Sequence, residues 1–307
     1  MKFDVQRTIT MNAPLTTVRR YIEDFHHWHG WSPWTVIEPD CTIEITGSPN
    51  HPGHSMSWQG TIIGSGRNTV ASVSPNQIQY DLEFIKPWTS KAKVNFTLEE
   101  DGENTHVTWN MESSLPFFLF FMIPTMKNWI GMDYDRGLRM LKEVAERGEL
   151  RCETYNNGEV DYQGFSYVGI QRTVPFAELA EHCQRDFEKI VNDIVVKAQK
   201  GARHWVCIYP KFDMKTMYVT YITAVSDEDL GGVELDETYR RGAIKDCNAL
   251  EIKHNGSYDF IANAWSMGMM NLRARKLKGS DFPFEQYWNS PFEEAPENLK
   301  SSVYFPL

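Results

Sequence analysis

The sequence predicts an α+β chain of two domains, with antiparallel sheets carrying most of the backbone. Three observations predict it. The 307 residues are enough for two apolar cores. Residues 1–112 hold seven short β-like segments joined by turns rich in Gly, Pro, Asn and Asp, and a long helical pattern follows them. Residues 155–307 run strand, helix, strand, strand roughly twice over.

In the first half, residues 2–10 alternate as a strand, with Phe3, Val5, Arg7 and Ile9 on one face. Asn12-Ala-Pro14 reads as a cap followed by a first-turn proline. Leu15, Val18, Tyr21, Ile22 and Phe25 then recur at helical spacing. After Trp28-His-Gly-Trp31-Ser-Pro33-Trp34 the strand candidates are 41–46, 55–63, 69–74, 77–85, 90–99 and 105–112, with Asp101-Gly102 as a hairpin signal. A helix from about Lys127 to Glu146 closes the half, and Gly148 is its stop.

Several other features of this half weigh little. Gly64-x-Gly66 invites a phosphate-loop reading, but the third glycine is missing and a strand follows, so it reads as a hairpin. His26, His27 and His29, with Asp24, are metal-ligating types, and the 26/29 spacing fits one helical turn. No second Cys/His pair stands at ligand spacing, so the stretch reads as a helix end beside an aromatic cluster, with no metal. Phe117-Phe-Leu-Phe-Phe121-Met-Ile reads as core or lid packing, because an exposed patch of that size aggregates. No acid/base pair is readable here.

Ala13-Pro14, W-S-P-W at 31–34, Trp58-Gln-Gly60, Gly64-Ser-Gly66, Thr105-His-Val107-Thr-Trp109 and Gly137-Leu138-x-x-Leu141-Lys142 follow one another in this order. With the order of elements, they resemble the SRPBCC (START/Bet v 1, polyketide cyclase-like) family over residues 1–150. The resemblance implies a helix-grip fold: a curved antiparallel sheet wrapped on the long C-terminal helix, with a cavity between them. Such cavities bind apolar ligands, and only some members catalyse reactions on them.

In the second half, Glu149–Asp161 reads as linker and approach, and 164–170 as a strand. Pro175 and Phe176 open a helix whose apolar positions Phe176, Leu179, Cys183, Phe187, Ile190, Val191, Ile194 and Val195 keep the 3.6-residue period to about Lys200, where Gly201 stops it. Trp205, Cys207 and Tyr209 share one face of the next strand, and Lys215–Val225 carries Tyr218 and Tyr221 on opposite faces. Residues 239–247 and 249–254 are further strands. A helix follows from about Asp259 to Leu277, with Phe260, Ile261, Ala264, Trp265, Gly268, Met269 and Leu272 along one stripe.

The stretch Asp281-Phe-Pro-Phe-Glu285-Gln-Tyr287-Trp carries the best candidate chemistry. At period two, Phe282, Phe284, Gln286 and Trp288 share one face, and Pro283, Glu285 and Tyr287 the other. Pro283 makes the segment an edge strand or a strand start. Glu285 beside Tyr287 can bind a cation or act as an acid/base pair; the pattern alone favours a solvated carboxylate on an open sheet face, because half-exposed strands carry Glu routinely. Trp265 lies on an apolar helix stripe, which points to core packing. Trp205, Tyr209 and Tyr221 are pocket candidates on strand faces whose orientation the sequence leaves open. Cys183, Cys207 and Cys247 have no adjacent His or Asn to activate them.

His254-Asn-Gly256-Ser-Tyr258, then a helix, Glu285-Gln-Tyr287 and the terminal Tyr304-Phe-Pro306 resemble the GyrI-like (AraC-type effector-binding) domain over about residues 155–307. That resemblance implies a pseudo-duplicated β-α-β-β fold with two helices backing the sheet. In multidrug-sensing members the glutamate matching Glu285 lies at the bottom of an aromatic pocket. His254 and Tyr258 match family words and either shape the helix start or touch a ligand. The expected ligand set is Glu285, Tyr287, Tyr258, Trp265, Tyr221, Tyr209 and Trp205. In some stand-alone members a pocket glutamate and an aromatic residue hydrolyse cyclopropane-type electrophiles, which would make Glu285 and Tyr287 catalytic. Gyrase inhibitors of the family bind another protein, which leaves a protein partner open.

The formal net charge is −10. It divides evenly, 13 basic against 18 acidic residues in 1–150 and 18 against 23 in 151–307. Neither half carries the basic footprint of a direct nucleic-acid binder, and no helix-turn-helix is readable. The longest apolar run, Leu115 to Ile123, falls far short of the ~20 residues of a membrane helix. Five cysteines, an odd number without a C-x-x-C pair, fit reduced thiols in a cytoplasmic protein, and the start shows no signal segment. No cofactor motif is present. The expectation is a small-molecule binder without its own DNA-binding domain, acting as sensor or sequestering protein. A hydrolase and a protein-binding regulatory module are the alternatives.

Overall fold

Alternation along β1 (Lys2–Met11) buries Phe3, Val5 and Met11 and turns Lys2, Asp4 and Gln6 outward. The computed structural model describes residues 1–196, 204–227 and 235–307. The backbone divides into two compact units, Met1–Arg151 and Cys152–Leu307.

In the first unit β1 pairs with β7 (Asn104–Ser114), followed across the sheet by β6 (Ser90–Asp101), β5 (Gln77–Lys86), β4 (Ser65–Ser74), β3 (Ser55–Gln59) and β2 (Thr42–Thr46), all neighbours antiparallel. The long helix α2 (Ile123–Arg147) packs on this sheet, with α1 (Leu15–Glu23) beside it. Gly137 allows the close approach: a Cβ there would meet the Trp109 ring at 2.8 Å and Pro33 at 3.0 Å. Trp109 then stacks on Tyr134 of α2 at 3.9 Å between centroids, and Phe96 on Trp109 at 4.8 Å. Three polar ends of this aromatic core are satisfied by backbone, while the Trp109 N–H is buried without a hydrogen-bond partner among the described residues. Trp28 donates to the Ile22 carbonyl, Trp31 to Tyr21 and the Tyr80 hydroxyl to Ile22. Gly148 stops α2 at φ +85, donating its N–H to Val144.

Three expectations for this unit change. The long helix begins at Ile123, because Pro124 sits in its first turn, where a missing N–H costs nothing. Asn12 does not cap α1; Pro14 holds the cap position, and the Asn12 N–H goes to the Glu146 carboxylate at 2.6 Å. The 117–122 segment is not core: it forms a 3₁₀ turn with Phe117, Phe118, Phe120 and Phe121 all exposed. The turn's short period spreads four rings around its axis, so no one face can bury them together.

The 60–64 loop is the hairpin read from the sequence, and its amides are not free for phosphate. Buried Glu38 accepts the N–H groups of Thr61 (2.6 Å), Ile62 (2.9 Å) and Ile63 (2.8 Å) and the Thr61 hydroxyl (2.8 Å).

In the second unit the sheet order is β12 (Arg240–Ile244), β9 (Phe165–Pro175), β11 (Tyr218–Ser226), β10 (Trp205–Asp213), β14 (Phe284–Tyr287), β15 (Lys300–Pro306), β13 (Cys247–Asn255) and β8 (Glu153–Tyr162). Every neighbouring pair is antiparallel. Helices α3 (Leu179–Ile190) and α4 (Ala262–Arg275) back it, α3 against β9 and β11 and α4 against β8, β13 and β15. The opposite face packs Phe165, Val206, Ile208, Ala249, Phe284 and Tyr304 into a second core.

The segment around Glu285 is not an edge. β14 is hydrogen-bonded on both sides, to β10 and to β15. Pro283 stands just before it, where only its carbonyl is needed, accepting the Tyr209 N–H at 3.0 Å. Much of the expected linker is strand: β8 absorbs Asn156-Asn157-Gly158 as a bulge, with Gly158 at φ +88. On α4 the buried face is Asn263, Ala264, Met267, Gly268 and Asn271, and Met269 is exposed. Hydropathy misplaced that face because buried Asn271 bonds locally, donating to the Met267 carbonyl and accepting from Asn156. The helix after Pro175 begins with a 3₁₀ turn and passes through a π-turn at Val191–Val195. Its expected continuation through residues 197–200 and the stop at Gly201 lie outside the described residues.

Candidate functional site

The strand register assembles the site. Cys207 pairs with Glu285 and with Thr223, Trp205 pairs with Tyr287, and Tyr221 pairs with Arg172. Paired residues point to the same side of a sheet, so all of these side chains face α3 and α4. A bulge between Ile208 and Lys211 keeps Tyr209 with Cys207 and Tyr221 in one apolar cluster.

Glu285 is 4% exposed. Trp265 donates its indole N–H to Oε1, Tyr287 donates its hydroxyl to Oε2, and the Tyr209 hydroxyl adds a third bond. All three donors are neutral. Among the described residues no cation pairs with this carboxylate. Burial therefore pushes the Glu285 carboxyl above its ordinary range, and the hydrogen bonds from Tyr287, Trp265 and Tyr209 only offset part of that.

Aromatic rings close around it. Tyr209 meets Trp265 edge-on at 4.9 Å, Phe212 meets Trp265 at 5.4 Å, and Tyr287 is flanked by Tyr258 at 5.1 Å and Phe187 at 5.6 Å. Trp205 reaches Phe187 at 5.8 Å. The Tyr258 hydroxyl bonds the Asn289 carbonyl at 3.4 Å, so that residue offers its ring rather than its hydroxyl. Burial, then the Glu285 charge, holds the Tyr258 phenol above its ordinary range.

The seven expected residues thus gather in one place, Tyr221 in the same apolar cluster as Tyr209, Trp265 and Tyr287. The Tyr221 hydroxyl is committed elsewhere: it donates to Asp186 at 2.8 Å, and Arg172 closes a forked ion pair on the same carboxylate at 2.7 to 2.9 Å. Trp265 is more than core packing, since its N–H is spent on Glu285. His254 is buried and ties the turn before the helix to β8. Its Nε2 donates to the Ser257 carbonyl, its Nδ1 accepts from Thr154, and burial lowers its pKa. Sequence reasoning missed Phe187 and Phe212 as walls. The α3 stripe carried Phe187, but nothing local showed that it reaches Tyr287. Cys207 and Cys183 lie beside the carboxylate with sulfurs 3.7 Å apart, and burial pushes the Cys207 thiol up, which keeps it a poor nucleophile.

Residues 2–146 match the family described as polyketide cyclase / dehydrase and lipid transport, and residues 159–307 match the GyrI-like small molecule binding domain. The chain is a polyketide cyclase-type (SRPBCC) domain followed by a GyrI-like small-molecule binding domain. Glu285 and the rings around it belong to the GyrI-like domain. Among curated proteins none matches the chain. Solved structures that it is similar to include a structural-genomics target from Nitrosospira multiformis, at 19% identity over 48% of this chain and 98% of that one, TM-score 0.37. The Aha1 dimer from Colwellia psychrerythraea matches at 17% identity over 48% and 98%, TM-score 0.36. EcmrR, in a DNA complex, matches at 16% identity over 62% and 67%, TM-score 0.38. Among the described residues no helix is long and apolar enough to cross a membrane.

Proposed function

We propose that the GyrI-like domain binds a cationic or amphipathic aromatic ligand, with Glu285 as its counter-ion. The observation that carries this reading is a buried carboxylate held only by neutral donors and ringed by aromatic side chains. An unpaired buried charge is costly, and a cation supplied by the ligand removes that cost. The surrounding ring faces add cation–π attraction. Trp265 and Tyr287 orient the carboxylate, while Tyr258, Tyr209 and Trp205 supply walls. The SRPBCC domain would take an apolar ligand between its sheet and α2. Acidic residues outnumber basic ones in both halves, which favours a sensor that signals through a protein partner, or a protein that sequesters the compound, in the cytoplasm.

A thermal-shift and fluorescence titration of wild type and Glu285→Gln against a cationic aromatic dye and its neutral isostere tests this. The substitution weakens the dye by at least about tenfold, roughly 1.4 kcal/mol, and leaves the isostere nearly unchanged. Equal losses for both compounds would refute charge pairing.

A second reading is favoured by the direct bond between Tyr287 and Glu285. A carboxylate with a raised pKa beside a hydroxyl suits general-base hydrolysis of a strained electrophilic ring. Glu285 would take a proton from water, the water oxygen would bond to a ring carbon, and the breaking C–C bond would receive the proton. Mass spectrometry of the recovered compound separates the readings: unchanged mass means binding, and one added water with wild type alone means turnover.

A further inference from the structure

We propose that the 3₁₀ segment Phe117–Met122 docks the SRPBCC domain on an anionic lipid surface. The segment joins β7 to α2 at the end of the domain where β1 starts. There the Leu115 N–H donates to the Met1 carbonyl at 3.0 Å. Side chains three apart eclipse one another in a 3₁₀ turn. Phe117 and Phe120 therefore share one side, Phe118 and Phe121 a second, and half-buried Leu119 lies on the third. All four rings are more than half exposed. Trp129, seven residues past Met122 and so on the same face of α2, is half exposed as well.

The arrangement of the rings selects the occupant. Two ridges set about 120° apart cannot both lie against one rigid protein surface. A fluid bilayer interface surrounds both, and aromatic rings settle at that depth.

Charge points the same way. At this end of the sheet Lys2 pairs with Ser114, and Glu83 stands between Lys91 and Arg67. Lys91 Nζ reaches that carboxylate at 3.2 Å, and Lys127 of α2 covers Asp4 at 3.7 Å. Lys86 ends β5 just beyond the row, and both Lys2 and Lys86 are exposed. Among the described residues neither has an ion-pair partner. The chain as a whole carries a formal charge of −10. An anionic surface therefore draws this end and repels the acidic remainder. A second copy seated here across a twofold axis would set the same lysines face to face, which is unfavourable. Docking of this kind depends neither on the Glu285 pocket nor on a bound ligand.

Flotation of the full chain with vesicles of equimolar phosphatidylcholine and phosphatidylglycerol, against phosphatidylcholine alone, tests the proposal. Wild type floats with the mixed vesicles and binds the neutral ones at least about fivefold more weakly. The difference disappears as salt rises to about 1 M, where charges are screened within about 3 Å. Phe118→Ser combined with Phe121→Ser weakens binding to the mixed vesicles by at least about tenfold. Lys2→Glu combined with Lys86→Glu weakens binding to the mixed vesicles alone. Phe292→Ser, which removes an exposed ring of the second unit, changes neither. All these positions are exposed, and circular dichroism confirms that the variants fold. Absence of binding by wild type, or equal binding by the double phenylalanine variant, overturns the proposal. A dimer in sedimentation velocity that the same variant dissociates also overturns it, because it assigns the rings to a second copy.

Discussion

Glu38 in the first unit and Glu285 in the second, both buried, show opposite uses of a carboxylate. Both are shielded from solvent, Glu38 at 8% and Glu285 at 4% exposed, but Glu285 lies much deeper in the protein. Depth and donors together separate them. Burial would raise Glu38, but the N–H groups of Ile63, Ile62 and Thr61 and the Thr61 hydroxyl more than offset it and hold its carboxyl below the ordinary range. For Glu285 burial prevails over three side-chain donors, and its carboxyl is held above that range. A nest of backbone amides converging on one carboxylate supplies most of what water would. Aromatic hydroxyls and an indole supply less. Glu38 is a fastener for the 60–64 loop, and Glu285 is a charge left for something else to complete.

The largest effect expected from breaking this contrast is at Glu38. Glu38→Ala strands three amides and a hydroxyl and destabilises the SRPBCC domain by about 3 kcal/mol, read by urea unfolding followed through tryptophan fluorescence. A loss below about 1 kcal/mol would mean that water replaces the carboxylate.

Glu285→Gln acts in the opposite direction on stability. A carboxyl whose folded pKa lies above its unfolded value contributes most below the unfolded value, near 4.3, and loses that contribution as pH rises through the folded pKa. The ligand-free variant is therefore more stable than wild type at pH 8, by on the order of 1 kcal/mol. The gap closes as the pH approaches 4. Melting curves across that window check both the sign and the closure.

The smallest effect sharpens the boundary of the pocket. Tyr221→Phe leaves affinity for a cationic dye within about twofold, because its hydroxyl is committed to Asp186. Tyr287→Phe, which removes a donor from Glu285, changes it by several-fold. Fluorescence titration of both variants makes the comparison, and similar losses would extend the site to the Asp186 network.

Most of the architecture was legible because periodicity is local. The sheet strands, the two amphipathic helices, the Gly148 stop and the shared face of Glu285 and Tyr287 all follow from residues a few positions apart. What failed depended on distant partners. Pro283 left an edge strand or a strand start open; it stands just before β14, and only the register with β10 and β15 shows that the strand is interior. The apolar stripe through Trp265 and Met269 left out Asn271, whose amide bonds the Met267 carbonyl one turn away and accepts from Asn156 of β8. Glu38 carried no signal at all, because the loop it fastens lies 23 to 25 residues ahead. Trp265 reached Glu285 across 20 residues, so an apolar stripe could not announce its hydrogen bond.

Carbon-detected NMR titration of the glutamate side-chain carboxyls tests the central claim most directly, with assignments from Glu38→Gln and Glu285→Gln. Glu285 is predicted to titrate above the ordinary glutamate value of 4.5 and Glu38 to titrate with a lowered midpoint. A Glu285 midpoint at or below that of Glu38 would contradict the account, because it would mean that the pocket already stabilises the charge without a ligand.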